Sequence, residues 1–254
     1  MLFKLIKAER LKLKRSPLWL AFLFMPVIPA LLGTLNYMAN IEKNIDTSGI
    51  ITLDYGSFKA VCLWTQHTLF TCYFFLPIMI GIYSSYIMRQ EENNRNWNKV
   101  LSMPVSRNLV FIAKLVQVFS MILFSEIWIC TLFVISGKVI GLTSAIPWVK
   151  LMIWCLFGTL GGTVIAAIQL MISLFIKSFA LPVGIALGGG LSGLVFLAKH
   201  LGHIWPYSLM AYGMNSNAPQ ELIESGYVWF VVICIVYIVL FMTISSMILS
   251  RRDI

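Results

Sequence analysis

Six runs of the sequence are each long enough and apolar enough to cross a lipid bilayer, which takes about 20 residues. They lie at 17–38, 60–88, 109–136, 151–176, 179–198 and 227–249. The segments between them are too short for a soluble domain with its own core. Hydrophobic residues make up 59% of the chain and charged residues only 11%, too few charges for a soluble surface. The sequence therefore predicts an all-α integral membrane protein in one domain, 1–254, and excludes a soluble enzyme.

Basic residues are concentrated at one end of these spans. The segments before span one, between spans two and three (with the first turns of span three), between spans four and five, and after span six carry 14 Lys and Arg, whereas the other loops carry five. The positive-inside rule therefore predicts that both termini are cytoplasmic. Because these cations flank membrane spans, the net charge of +9 does not indicate binding to nucleic acid.

The first 16 residues have the pattern of an amphipathic helix that lies on the cytoplasmic leaflet. Leucine and isoleucine side chains share one face, and most of the basic residues, Arg10 among them, occupy the rest. Glu9 falls in the middle of the apolar face. Either it contacts a basic group, on a partner or on the 89–107 loop, or the helix is rotated and Glu9 is in water.

The stretch 89–108, between spans two and three, is predicted to be a short cytoplasmic helix. Glu91 and Glu92 precede Arg95 by four and three residues, a spacing that favours a helix. Trp97 and Leu101 then supply apolar anchors, which suit docking to a partner subunit. The alternative is a solvated connector with Trp97 among the lipid headgroups.

Several polar residues lie within the apolar runs. Glu126 is the only acid inside a span, and it is expected to be protonated or to pair with Gln169 or His67. His67 and Thr71 share a helix face and either line a cavity or lie in the interface.

Glycine pairs in spans four and five predict close helix packing. Residues 199–226 are expected to form a loop, with Trp205 and Tyr207 at the membrane interface; His200 and His203 alone do not indicate a metal site.

Three segments resemble the permeases of ABC exporters of the type 2 class. They are the stretch E-E-N-N-R-N-W-N-K-V-L-S-M-P-V-S-R at 91–107, the opening L-I-K-A-E-R-L-K-L-K-R-S-P-L-W, and the ending S-R-R-D-I. In that class a Glu, a Trp and P-[VI]-S-R lead into span three. The resemblance covers the whole chain and is nearest to lantibiotic-immunity permeases, which protect Gram-positive bacteria from pore-forming peptides.

This resemblance implies a transport subunit in the plasma membrane rather than an enzyme. It implies no cofactor on this chain, two copies of an ATPase subunit that binds ATP and Mg, and a second permease, identical or related. Glu91 and Trp97 match the family's coupling helix, which touches the ATPase, and residues 1–15 match its interfacial helix. Glu92 duplicates the acid, so either carboxylate is a candidate for the contact. The cargo is expected to be an amphipathic peptide, with a drug, a lipid or an ion as alternatives.

An intramembrane protease is the alternative from another class. Glu91, Glu92 and Arg95 approach an E-E-x-x-x-R motif but are one residue short, whereas Phe196 and His200 fit F-x-x-x-H. The predicted topology puts these two groups about 30 Å apart, at opposite faces of the bilayer. They could not share a water molecule for catalysis, so this alternative is disfavoured.

Overall fold

The computed structural model describes residues 2–13, 16, 18–41, 58–93, 97, 106–216 and 224–250. These residues are helical or lie in short connections, with no strand among them. An N-terminal helix, Leu2–Leu13, precedes the spans. The six spans are Leu18–Ala39, Lys59–Glu92, Arg107–Val139, Trp148–Phe175, Ala180–Ala198 and Gly226–Leu249. The predicted all-α fold with six membrane-spanning helices is confirmed.

Two of the spans are interrupted, and proline explains both interruptions. Span one consists of helices Leu18–Phe24 and Val27–Asn36, which meet in a turn at Pro26. Span two contains a π-helical turn, Thr71–Phe75. Directly after it, Pro77 has no N–H to donate to the carbonyl oxygen four residues earlier, so the regular α-helical ladder cannot continue through this point.

Span five approaches span two at this irregular turn because it has a glycine there. A methyl group added to Gly190 would lie 2.5 Å from the carbonyl oxygen of Tyr73 and 3.0 Å from Cγ of Pro77. Any larger side chain would push the two spans apart. The close packing predicted from the glycines of span five is therefore present at this position.

The connection between spans five and six turns back into the bundle. Its two short helices, Pro206–Ser208 and Leu209–Gly213, are largely buried. Tyr207, expected at the membrane interface, is instead only 5% exposed, and its hydroxyl oxygen lies 2.7 Å from Nε2 of Gln169 in span four. Gly161 of span four makes room for this re-entrant segment, since an added methyl group would lie 2.5 Å from the backbone nitrogen of Met210.

At the end of the bundle where the N-terminal helix lies, which we call the basic end, side chains join the spans to one another. Arg89 donates to the carbonyl oxygen of Lys177, linking span two to the hairpin between spans four and five. Arg107 donates to the carbonyl oxygen of Leu249 at 3.3 Å, linking spans three and six. These two contacts involve the ends of five spans at the basic end.

Candidate functional site

Four charged side chains meet beneath the N-terminal helix at the basic end. Glu9 and Lys12 come from that helix, Glu91 from the last turn of span two, and Lys114 from the second turn of span three. We call these four residues the ion cluster. It joins three helices whose contributions are far apart in the sequence.

Each ammonium group of the ion cluster contacts both carboxylates. Nζ of Lys114 lies 2.7 Å from Oε1 of Glu91 and 3.1 Å from Oε1 of Glu9. Nζ of Lys12 lies 2.5 Å from the same oxygen of Glu91 and 3.0 Å from that of Glu9. Two cations therefore alternate with two anions, and the four formal charges cancel.

The cluster is shielded from solvent on its inner side. Lys114 and Glu91 are fully buried and Glu9 is 6% exposed, whereas the Lys12 side chain is about one-third exposed. Partial burial lowers the pKa of Lys12, but Glu9 and Glu91 raise it by more, so its net pKa lies above the usual value. Removing one partner from such a buried set leaves an uncompensated charge, which typically costs about 3–5 kcal/mol.

Trp97 covers the cluster from the segment between spans two and three. Its ring is 9% exposed, and Nζ of Lys114 lies 6.0 Å from the ring centroid. That distance is at the limit of a cation–π contact. Trp97 therefore lies near a charged side chain of its own chain.

The structure brings together some of the residues predicted for this end. Of the two interpretations of Glu9, the structure agrees with contact to a basic group. That group is Lys114 of span three, however, and not a residue of the 89–107 loop or of a partner. Arg10 is exposed, and Glu92 is partly buried beside the enclosed Glu91. Arg95 and Leu101 lie outside the described residues.

The polar residues predicted within the spans lie inside the bundle but not in one site. Nε2 of His67 is 3.0 Å from Oγ1 of Thr34 and 3.1 Å from Oγ of Ser136, so this imidazole joins spans one, two and three. Thr71 donates to the carbonyl oxygen of His67 at 2.8 Å. Both residues are buried.

Glu126 is fully buried, and neither of its carboxyl oxygens has a hydrogen-bond partner within the described ranges. It pairs with neither of its expected donors, because His67 binds Thr34 and Ser136 and Gln169 binds Tyr207. Its carboxyl group packs against span four, where a methyl group added to Gly158 would lie 3.0 Å from Oε1.

Lys12 and Lys114 entered the sequence prediction only through the excess of basic residues at one end of the spans. The position of each nevertheless indicates an ion pair. Lys114 lies seven residues after the start of span three, within a predominantly apolar helix, a position where a lysine needs a counter-ion. Lys12 follows Glu9 by three residues, the spacing of a helical ion pair.

Among the residues that the structure describes, no side chains form a metal site, and the residues of the proteolytic motif do not come together. No group of three His, Cys, Asp or Glu side chains there could hold a metal ion. Glu91 lies at the basic end, whereas Phe196 and His200 lie at the far end of span five, with Phe196 stacked on Trp205. The acids and the histidine are therefore at opposite ends of the bundle.

Comparison with known proteins agrees with this architecture. No curated protein matches the sequence. The family model described as ABC-2 family transporter protein matches residues 5–193, which include the ion cluster, the first four spans and most of the N-terminal helix and of span five. The chain therefore belongs to the ABC-2 transporter family and is the membrane permease of an ABC transporter.

Proposed function

We propose that this chain is the permease subunit of an exporter that expels lantibiotic-type peptides from the plasma membrane of a Gram-positive bacterium. Membership of the ABC-2 family supports a membrane permease of an ABC transporter. The lantibiotic cargo is supported by the resemblance of the whole chain, in sequence and size, to lantibiotic-immunity permeases. The pore is formed with a second permease, identical or related, and two ATPase subunits drive it with ATP and Mg.

The basic end faces the cytoplasm in this proposal, together with both termini. The positive-inside rule supports that orientation, and the ion cluster is compatible with it. The segment 89–108 then lies on the side where the ATPase subunits bind. The exposed cations of the N-terminal helix, Lys4, Lys7 and Arg10, face the anionic headgroups of the cytoplasmic leaflet.

The ion cluster is the observation that carries the mechanism. ATP-driven closure of the ATPase subunits displaces the segment 89–108, which contains Glu91 near its start. The end of span two cannot separate from span three or from the N-terminal helix without leaving buried charges unpaired. The three helices therefore move together, so that a displacement at the cytoplasmic face reaches spans two and three.

This mechanism revises the role that the resemblance gives to Glu91. The fully buried Glu91 carboxylate contacts Lys12 and Lys114 of its own chain through Oε1. Its part in coupling is to hold the segment to span three, as a positioning residue.

Growth inhibition tests the proposed cargo. A sensitive Gram-positive host expresses this chain with its ATPase and any companion permease, and is challenged with lantibiotics beside unrelated drugs. We expect tolerance confined to lantibiotics and lost when the ATPase is inactivated. Tolerance to a drug, lipid or ion instead would keep the exporter and overturn the peptide cargo.

A further inference from the structure

A lateral groove runs between spans three and four, on the outside of the bundle and near the end opposite the ion cluster. Its volume is about 570 Å³, within the usual size range of ligand sites. It opens sideways, because the lining residues Ile127, Met152 and Leu156 are 54%, 60% and 61% exposed. The lining is almost entirely apolar: Leu123, Ile127, Cys130, Thr131, Val134, Ile135, Trp148, Leu151, Met152, Cys155 and Leu156.

The length of the groove along the helices is close to the thickness of one leaflet of the bilayer. Along span three it extends from Leu123 to Ile135, which at 1.5 Å per residue is about 18 Å. Half of a hydrocarbon core of about 30 Å is about 15 Å. On span four the groove begins at Trp148, the first residue of the helix, so it reaches from the headgroup region towards the middle of the bilayer.

An exposed cation lies near the headgroup end of the groove. Lys138 is exposed and lies three residues after Ile135 and four after Val134, so it continues the face of span three that lines the groove. Span four begins at the same end, and the amide groups of its first turn favour an anion. Glu126 is the only acid between residues 106 and 216, and it packs towards Gly158 rather than lining the groove.

We propose that this groove holds one acyl chain of an anionic phospholipid, with the lipid phosphate at Lys138. Apolar walls one leaflet deep match the length of an acyl chain, and the cation at the open end matches a phosphate. A cationic amphiphile would meet Lys138 with the same sign of charge. In the orientation proposed above, the lipid belongs to the outer leaflet, but the site itself does not depend on the cargo.

Lipid binding to the purified chain tests this site. Native mass spectrometry measures binding of phosphatidylglycerol and phosphatidylcholine to the wild type, Lys138→Gln and Met152→Trp. Matched controls are Lys199→Gln, an exposed lysine at the same end of span five, and Val236→Trp, which is 58% exposed on span six. We expect the wild type to prefer phosphatidylglycerol, and Lys138→Gln to lose about fivefold of that preference.

The groove-filling variant separates the acyl-chain site from the charge. Met152→Trp is expected to reduce binding of both lipids, whereas both controls keep the wild-type pattern. Equal binding of the two lipids by the wild type would overturn the proposal. Unchanged binding in Met152→Trp would overturn it too. The proposal would also be overturned if a cationic peptide displaced the lipid while Lys138→Gln had no effect on lipid binding.

Discussion

Glu91 and Glu126 are both fully buried carboxyl groups, yet their surroundings are opposite. Glu91 lies between two ammonium groups at the basic end of the bundle, at 2.5 and 2.7 Å. Glu126 has no hydrogen-bond partner among the described residues and packs against the glycine face of span four. A buried charge needs a partner, so Glu91 is expected to be ionised and Glu126 to carry its proton.

The difference also concerns what each acid connects. Glu91 contacts residues from two other helices, and Lys114 is linked to Glu9 across 105 residues of sequence. Among the described residues, the carboxyl group of Glu126 makes only packing contacts. The first acid therefore stabilises an arrangement of helices, whereas the second adds no polar contact to the described part of the bundle.

The largest expected effect comes from Lys114→Met. The change keeps the volume of the side chain but leaves Glu9 and Glu91 with only the part-exposed Lys12 as counter-ion. We expect the free energy of unfolding in mild detergent to fall by about 3–5 kcal/mol. The control is Lys138→Met on the same helix, where the lysine is exposed and the change should stay within about 0.5 kcal/mol.

A second substitution should restore part of that loss. Adding Glu91→Gln to Lys114→Met removes one of the two acids, so that Glu9 and Lys12 remain as a neutral pair. We expect the double variant to be more stable than Lys114→Met alone, by about 1 kcal/mol or more. Strictly additive losses in the unfolding free energy would show that Glu91 and Lys114 do not interact.

Gly158→Ala probes the surroundings of Glu126. The added methyl group would lie 3.0 Å from Oε1 of Glu126 and also against Met214, so the packing between spans three and four must shift. We expect a loss of about 1–3 kcal/mol in the unfolding free energy. Gly184→Ala is the matched control: nothing lies within 4 Å of the added group, and alanine favours a helix by about 1 kcal/mol.

The smallest effect is expected for Glu126→Gln. A protonated carboxyl group and an amide have similar shape, and the substitution breaks no ion pair. The unfolding free energy should change by less than about 1 kcal/mol. A loss as large as that of Lys114→Met would show that Glu126 is ionised and paired, which would remove the contrast between the two acids.

Much of the fold could be predicted from the sequence because each span is a local feature. Each apolar run is by itself long enough to cross a bilayer, so six spans follow without knowledge of their packing. The re-entrant segment could not be found in this way. Its eleven residues, 206–216, are too few to span a membrane, and only their contacts with spans four and five show that they are buried.

The candidate site was predictable only in part, because its contacts depend on how the helices pack. The position of Glu9 on an apolar helix face left two interpretations open, and a contact with a basic group was one of them. The identity of that partner depends on how span three packs against the N-terminal helix, which no local pattern contains. The inward position of Glu91 likewise follows from tertiary packing, whereas its spacing to Arg95 suggested only a helix.

The central claim is that the ion cluster couples the segment 89–108 to spans two and three. The most direct test measures lantibiotic tolerance and ATP hydrolysis together for Glu91→Gln and Glu126→Gln, at matched amounts of permease in the membrane. We predict that Glu91→Gln lowers tolerance by about tenfold or more while hydrolysis persists. Glu126→Gln should keep both activities. Unchanged tolerance in Glu91→Gln, or an equal loss in both variants, would contradict the claim.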